Sequence, residues 1–159
     1  MKRAYFAALA ATILAPAALA DVVAPGDVVF DEAGALETSL TSQPGNPEEG
    51  AKVISTKSIG NCVSCHEIGA MPDVPFQGNI GPALDGVADR WSEAEIRGIV
   101  ANAKKTYDGT MMPAFYKVDG FIRPGEGYTG KGIAEADITP LLTAQQIEDV
   151  VAYLATLKE

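Results

Sequence analysis

Cys62-Val63-Ser64-Cys65-His66 is the segment of this chain best equipped to do chemistry. Two thiols separated by two residues can add across the two vinyl groups of a haem. A histidine that follows at once is then held over the iron as its proximal ligand. Cys62 and Cys65 are the only cysteines in the 159 residues, and His66 is the only histidine. A structural zinc site wants four Cys or His ligands, and three are present. A redox CxxC of thioredoxin type would follow a strand in a βαβ pattern, and none is visible. A disulfide framework needs cysteines far apart in sequence, whereas this pair closes only a tiny loop. The pattern therefore predicts one haem c, bound covalently through Cys62 and Cys65 with His66 on the iron.

A single histidine restricts the sixth iron ligand. Both sulfurs are consumed as thioethers, so a methionine or an open site remains. Met71 is too close to the attachment segment to reach the opposite face of the haem. Thr110-Met111-Met112-Pro113-Ala114-Phe115 lies where a loop could return across that face. Met112 is favoured over Met111 because Pro113 imposes an extended path on the residue before it; ordinary core packing is the plainer role for the pair. His–Met ligation raises the reduction potential and leaves no place for oxygen or peroxide, which is electron-transfer chemistry. An open site would instead suit a peroxidase-like or gas-binding protein. Gly81-Pro82-Ala83-Leu84 offers a carbonyl that could accept the other ring N–H of His66, or it is a simple turn. No spare thiol, spare histidine or phosphate loop marks a second active site, so no catalytic residue is assigned.

Three helices are expected to position these groups. The first starts at the cap Asn46, with Pro47 in the first turn, Glu49 placed to reach back, and Ala51, Val53 and Ile54 on its apolar side. Gly50 costs stability inside that helix and marks a close packing point. The second starts at Ser92 with Glu95 three residues on, and Ile96, Ile99, Val100 and Ala103 recur at helical spacing. The third starts at Thr143 with Gln146, and Ile147, Val150, Val151, Leu154 and Leu157 form an apolar stripe to the C-terminus. Two stretches rich in glycine and proline, 67–90 and 106–142, separate them, and connections of that length are expected to wrap something. Residues 21–45 read as an arm with few internal contacts, either a loose tail or a strap laid over a partner.

Lys2 and Arg3, the apolar run Tyr5–Leu14 and Ala18-Leu19-Ala20 have the form of a secretory signal cleaved before Asp21. The chain thus divides into a signal at 1–20, an arm at 21–45 and one domain at 46–159, expected in the periplasm, where haem attachment takes place. Losing Lys2 and Arg3 moves the net charge from −9 to −11, 10 basic against 21 acidic residues. Such a surface argues against nucleic acid and anionic lipid as partners. No later stretch is apolar enough for a membrane span.

From residue 46 to 159 the three helices, the Cys62–His66 motif, Gly81-Pro82-Ala83-Leu84 and Met112-Pro113 resemble a class I cytochrome c. The resemblance implies an all-α fold with long loops around the haem, a Pro82 carbonyl on the proximal histidine, and first and last helices crossing at Gly50 and Tyr153. Gly78–Pro82, Leu84–Trp91, Thr110–Phe121 and Leu142–Leu157 are more closely similar to the SoxX family, the small cytochrome subunits of SoxAX complexes in bacterial sulfur oxidation. That resemblance implies an electron-accepting subunit of an L-cysteine S-thiosulfotransferase. A SoxA-like cytochrome would be its heterodimer partner, a SoxYZ-like carrier would receive thiosulfate on a cysteine, and a small soluble cytochrome c would take the electrons. The alternative is a free periplasmic electron shuttle. Trp91 either donates its indole N–H to a haem propionate or packs half-buried. The 116–142 insertion, with Phe121 and Tyr128, either faces the partner or covers the haem edge.

Overall fold

The computed structural model describes residues 21–125 and 129–159. The signal expected at 1–20 and Tyr128 lie outside them. Four α-helices occur among the described residues: α1 (Pro47–Ser55), α2 (Val87–Arg90), α3 (Glu93–Asn102) and α4 (Ala144–Leu154). Their only β-pairings are the isolated bridges Val22–Thr41 and Gly125–Gly132, so the all-α expectation holds.

The caps explain where the helices begin. Ser92 N–H donates to Glu95 Oε2 at 2.8 Å and Glu95 N–H returns to Ser92 Oγ at 3.3 Å. Thr143 N–H donates to Gln146 Oε1 at 2.9 Å and Gln146 N–H to Thr143 Oγ1 at 3.2 Å. Each pair satisfies two amides that the helix itself cannot. α1 departs from that pattern. Asn46 Oδ1 accepts from the Glu48 and Glu49 amides at 2.9 and 3.4 Å, but the Asn46 N–H goes to Asp149 Oδ1 of α4 at 2.8 Å. Glu49, relieved of that role, pairs with Lys52 at 2.6 Å. α2 is a single turn within the stretch expected to be loop at 67–90; its four residues are too few to carry an apolar period. α4 stops at Leu154 instead of reaching the C-terminus. Leu157 is nevertheless buried, and its carbonyl accepts from Ala88 N–H at 3.1 Å, turning the tail onto α2.

α1 lies across α4, and Gly50 is the point of closest approach. A Cβ there would collide with Asp149 O and sit 2.9 Å from Tyr153 Cβ, so the Gly50–Tyr153 crossing is present. α3 packs on α4, and Ile54, Ile96, Ile147 and Val151 fill the space between the three. Burying these side chains supplies the main driving force, on the order of 1.5–3 kcal/mol each.

The arm differs most from expectation. It is not a loose tail with few internal contacts, because Ala35, Leu36 and Leu40 are buried in the core. Arg97 Nε of α3 meets Glu148 of α4 at 2.9 and 3.1 Å. The same pair reaches the arm: Arg97 Nη1 donates to Leu36 O at 2.9 Å, and Leu40 N–H donates to Glu148 Oε1 at 2.8 Å. Their side chains are 9 % and 5 % exposed. Two buried charges are tolerable only when each is paired and hydrogen-bonded. Replacing Glu148 with Ala strands the Arg97 charge and the Leu40 amide, and is expected to cost about 3–5 kcal/mol. Urea unfolding would measure it; an unchanged midpoint would show that this pair does not hold the arm.

Candidate functional site

Cys62–Ser64 is a 3₁₀ turn preceded by Asn61 at φ 49°, a left-handed value that asparagine tolerates better than most residues. Cys65 N–H and His66 N–H both donate to Cys62 O at 3.0 Å. The two sulfurs and the imidazole thereby come from one tight turn. Burial pushes the Cys62 thiol up to about 11. That is the opposite of the low-pKa thiolate a disulfide-exchange motif needs.

This turn forms part of the wall of a cavity of about 780 Å³, within the roughly 300–1,000 Å³ typical of ligand sites. Cys62, Cys65, His66 and Met112 all line it, and so does Met111. The two methionines differ in environment: Met112 packs against the core, whereas Met111 is 77 % exposed. Met71 is not among the lining residues; its carbonyl accepts from Gln77 Nε2 at 2.8 Å in the loop after the turn. Ile96, Ile99 and Val100 of α3 and Val150 and Leu154 of α4 make the lining predominantly apolar. Among the described residues no Asp or Glu lines it, and Arg90 is its one permanent cation. Apolar walls with sulfur and imidazole donors suit a large apolar macrocycle with a metal at its centre, so the residues present fit a haem.

His66 Nδ1 lies 2.7 Å from Pro82 O. A carbonyl can only accept, so Nδ1 carries the proton and Nε2 is left with its lone pair. The Pro82 carbonyl is held on both sides. Gly81 N–H donates to Cys65 O at 2.8 Å and Leu84 N–H to Glu67 O at 2.9 Å. Arg90 then bonds the carbonyls of Ala83 at 3.1 Å and Asp85 at 2.8 Å. Nothing in the sequence spacing marks Arg90 for this; its partners are backbone atoms, which leave no signature in residue types. Trp91 lines the cavity half-buried and meets Tyr107 edge-on, with ring centroids 6.3 Å apart.

The methionine loop is anchored at several points. Met112 N–H donates to Thr110 Oγ1 at 3.2 Å, and Lys104 Nζ donates to Met112 O at 2.5 Å. Tyr116, four residues on, is buried, and its hydroxyl donates to Val23 O in the arm at 2.7 Å. Burial pushes that phenol above its ordinary range, which keeps it a donor.

With this geometry in view, three comparisons bear on the chain. The family described as Cytochrome c matches residues 47–158. The curated proteins contain no match. Among solved structures the chain is similar to one chain of "Crystal structure of SoxXA from P. pantotrophus". The two share 63 % identity over 87 % of this chain and 100 % of that one, with a TM-score of 0.83. That share is larger than residues 46–159 represent, so the similarity extends beyond them.

Gly81 places its Cα hydrogens against the imidazole. A Cβ there would strike His66 Cε1 and come within 2.7 Å of Nδ1. Gly81→Ala is expected to destabilise the holoprotein by about 1–3 kcal/mol and to shift the ring-proton resonances of His66. Unchanged resonances would mean that this contact does not set the ring.

Proposed function

The chain belongs to the cytochrome c family, with one covalently bound haem c and the class I fold, and we propose that it is the electron-accepting SoxX-like subunit of a SoxAX thiosulfate-oxidising complex. In this reading Cys62 and Cys65 would carry the haem, and His66 and Met112 would be the ligands of its iron. When bound, the haem supplies one-electron redox chemistry. The chain's residues do the rest. Pro82 O accepts a hydrogen bond from the Nδ1–H of His66, fixing the tautomer that presents Nε2 and making that nitrogen a stronger donor. Met112 offers a neutral thioether from the loop, and its packing against the core supports it over Met111. Ile96, Val100 and Val150 line the cavity with apolar side chains, and an apolar surround favours the less charged state of a metal centre.

The observation that carries the subunit reading is 63 % identity with a chain of SoxXA across that chain's whole length. A free shuttle has weaker support, since the likeness extends past the haem domain into a further segment. The complex as a whole would act as an L-cysteine S-thiosulfotransferase, conjugating thiosulfate to a cysteine of a SoxYZ-like carrier. This chain would contribute no substrate-conversion site, because both of its cysteines lie in the attachment motif. Its partners would be a SoxA-like cytochrome in a heterodimer and a small soluble cytochrome c that takes the electrons. Residues 1–20 would direct export to the periplasm and be removed. No helix among the described residues is long and apolar enough to cross a membrane.

Two experiments test this. Met112→Ala should lower the reduction potential and abolish the sulfur–iron charge-transfer band, while Met111→Ala leaves both in place; the reverse result would reassign the ligand. Mild purification from thiosulfate-grown cells should yield the chain together with a second cytochrome subunit. A solitary monomer would refute the subunit role.

A further inference from the structure

The arm and the methionine loop are joined by a continuous line of bonds. Glu148 of α4 accepts the Leu40 amide at 2.8 Å. Leu40 O accepts the Val23 amide at 2.9 Å, and Val23 O accepts the Tyr116 hydroxyl at 2.7 Å. Tyr116 is 5 % exposed. Its own backbone is pinned to α3 through Tyr116 N–H to Ala101 O at 3.0 Å, and Leu142 N–H closes on Phe115 O at 3.0 Å. At Met112 itself, Lys104 holds the backbone carbonyl from the 3₁₀ turn Ala103–Lys105. The arm reaches that turn as well, since Lys105 Nζ stands 5.6 Å from the Phe30 ring centroid. The segment that carries Met112 is therefore gripped at two points by elements the arm touches.

A thioether is a neutral donor with several rotatable bonds, and it stays near a metal only if its backbone is held in place beforehand. Glycines flank the loop around it, Gly109 on one side and Gly120 on the other. We infer that residues 21–42 act as a buttress for the Met112 loop, with Tyr116 as the positioning residue through which they hold the sixth ligand in reach. The inference rests on Met112 being that ligand. It gives the arm a role inside the chain that does not depend on any partner.

The test follows the sulfur–iron charge-transfer band and the far-ultraviolet helix signal of the oxidised holoprotein together during heating. In the parent the two should disappear together. Tyr116→Phe keeps the ring and loses only the bond to Val23 O, so its band should vanish at a lower temperature than its helix signal, with a lowered reduction potential. Lys104→Leu removes the second anchor without adding a sulfur and should separate the two transitions in the same direction. Val151→Ala weakens the core away from the cavity and should lower both transitions equally. If band and helix signal melt together in Tyr116→Phe and Lys104→Leu, as in Val151→Ala, Tyr116 has only a structural part and the inference is overturned. If Met112→Ala leaves the band intact, the ligand assignment itself falls, and the inference with it.

Discussion

One hydrogen bond, from His66 Nδ1 to the Pro82 carbonyl at 2.7 Å, sets the terms for the rest of this structure. It fixes which ring nitrogen holds the proton, and therefore which one is free to bind metal. For the bond to form, a backbone carbonyl must lie against the imidazole with no side chain between them, which calls for glycine at position 81. The carbonyl must also stay where it is. Rungs to Cys65 O and Glu67 O, and the Arg90 guanidinium on the carbonyls of Ala83 and Asp85, immobilise its segment. The long loop at 67–90 is thus a bracket for one acceptor atom.

The opposite wall is built on a different principle. Met112 sits in a loop whose anchors come from far along the chain: a lysine in the turn after α3 and a tyrosine that reaches the arm. The arm in turn is held by the Arg97–Glu148 pair between α3 and α4. A buried ion pair seldom adds stability over an apolar pair of the same volume. Here it does something an apolar pair could not, because its spare donor and acceptor positions satisfy two backbone groups of the arm. Direction, more than stability, accounts for charges at that place.

What could be read in the sequence followed the range of each interaction. Ser92 with Glu95 and Thr143 with Gln146 announce their helices because each cap is completed within one turn. Cys62, Cys65 and His66 announce a haem because the chemistry needs them adjacent. Glu49 stands at the spacing of a capping partner but does not serve as one, because the acceptor that takes the Asn46 amide, Asp149, lies 103 residues away. The same holds for the arm: its valines and glycine-proline turn look like a frayed end, while its bonds to Arg97, Tyr116 and Glu148 span 61 to 108 residues. Arg90 carries no sequence signal because backbone carbonyls, its partners, are common to every residue. Local rules reach as far as local bonds do, and this fold closes its site with distant ones.

All of it presumes that the polypeptide is stitched to an iron porphyrin beside the imidazole. The intact mass of the exported, purified chain is the most direct test. The account predicts the mass of residues 21–159 plus a single haem, stable to denaturation. A denatured chain whose mass is that of its amino acids alone would contradict it.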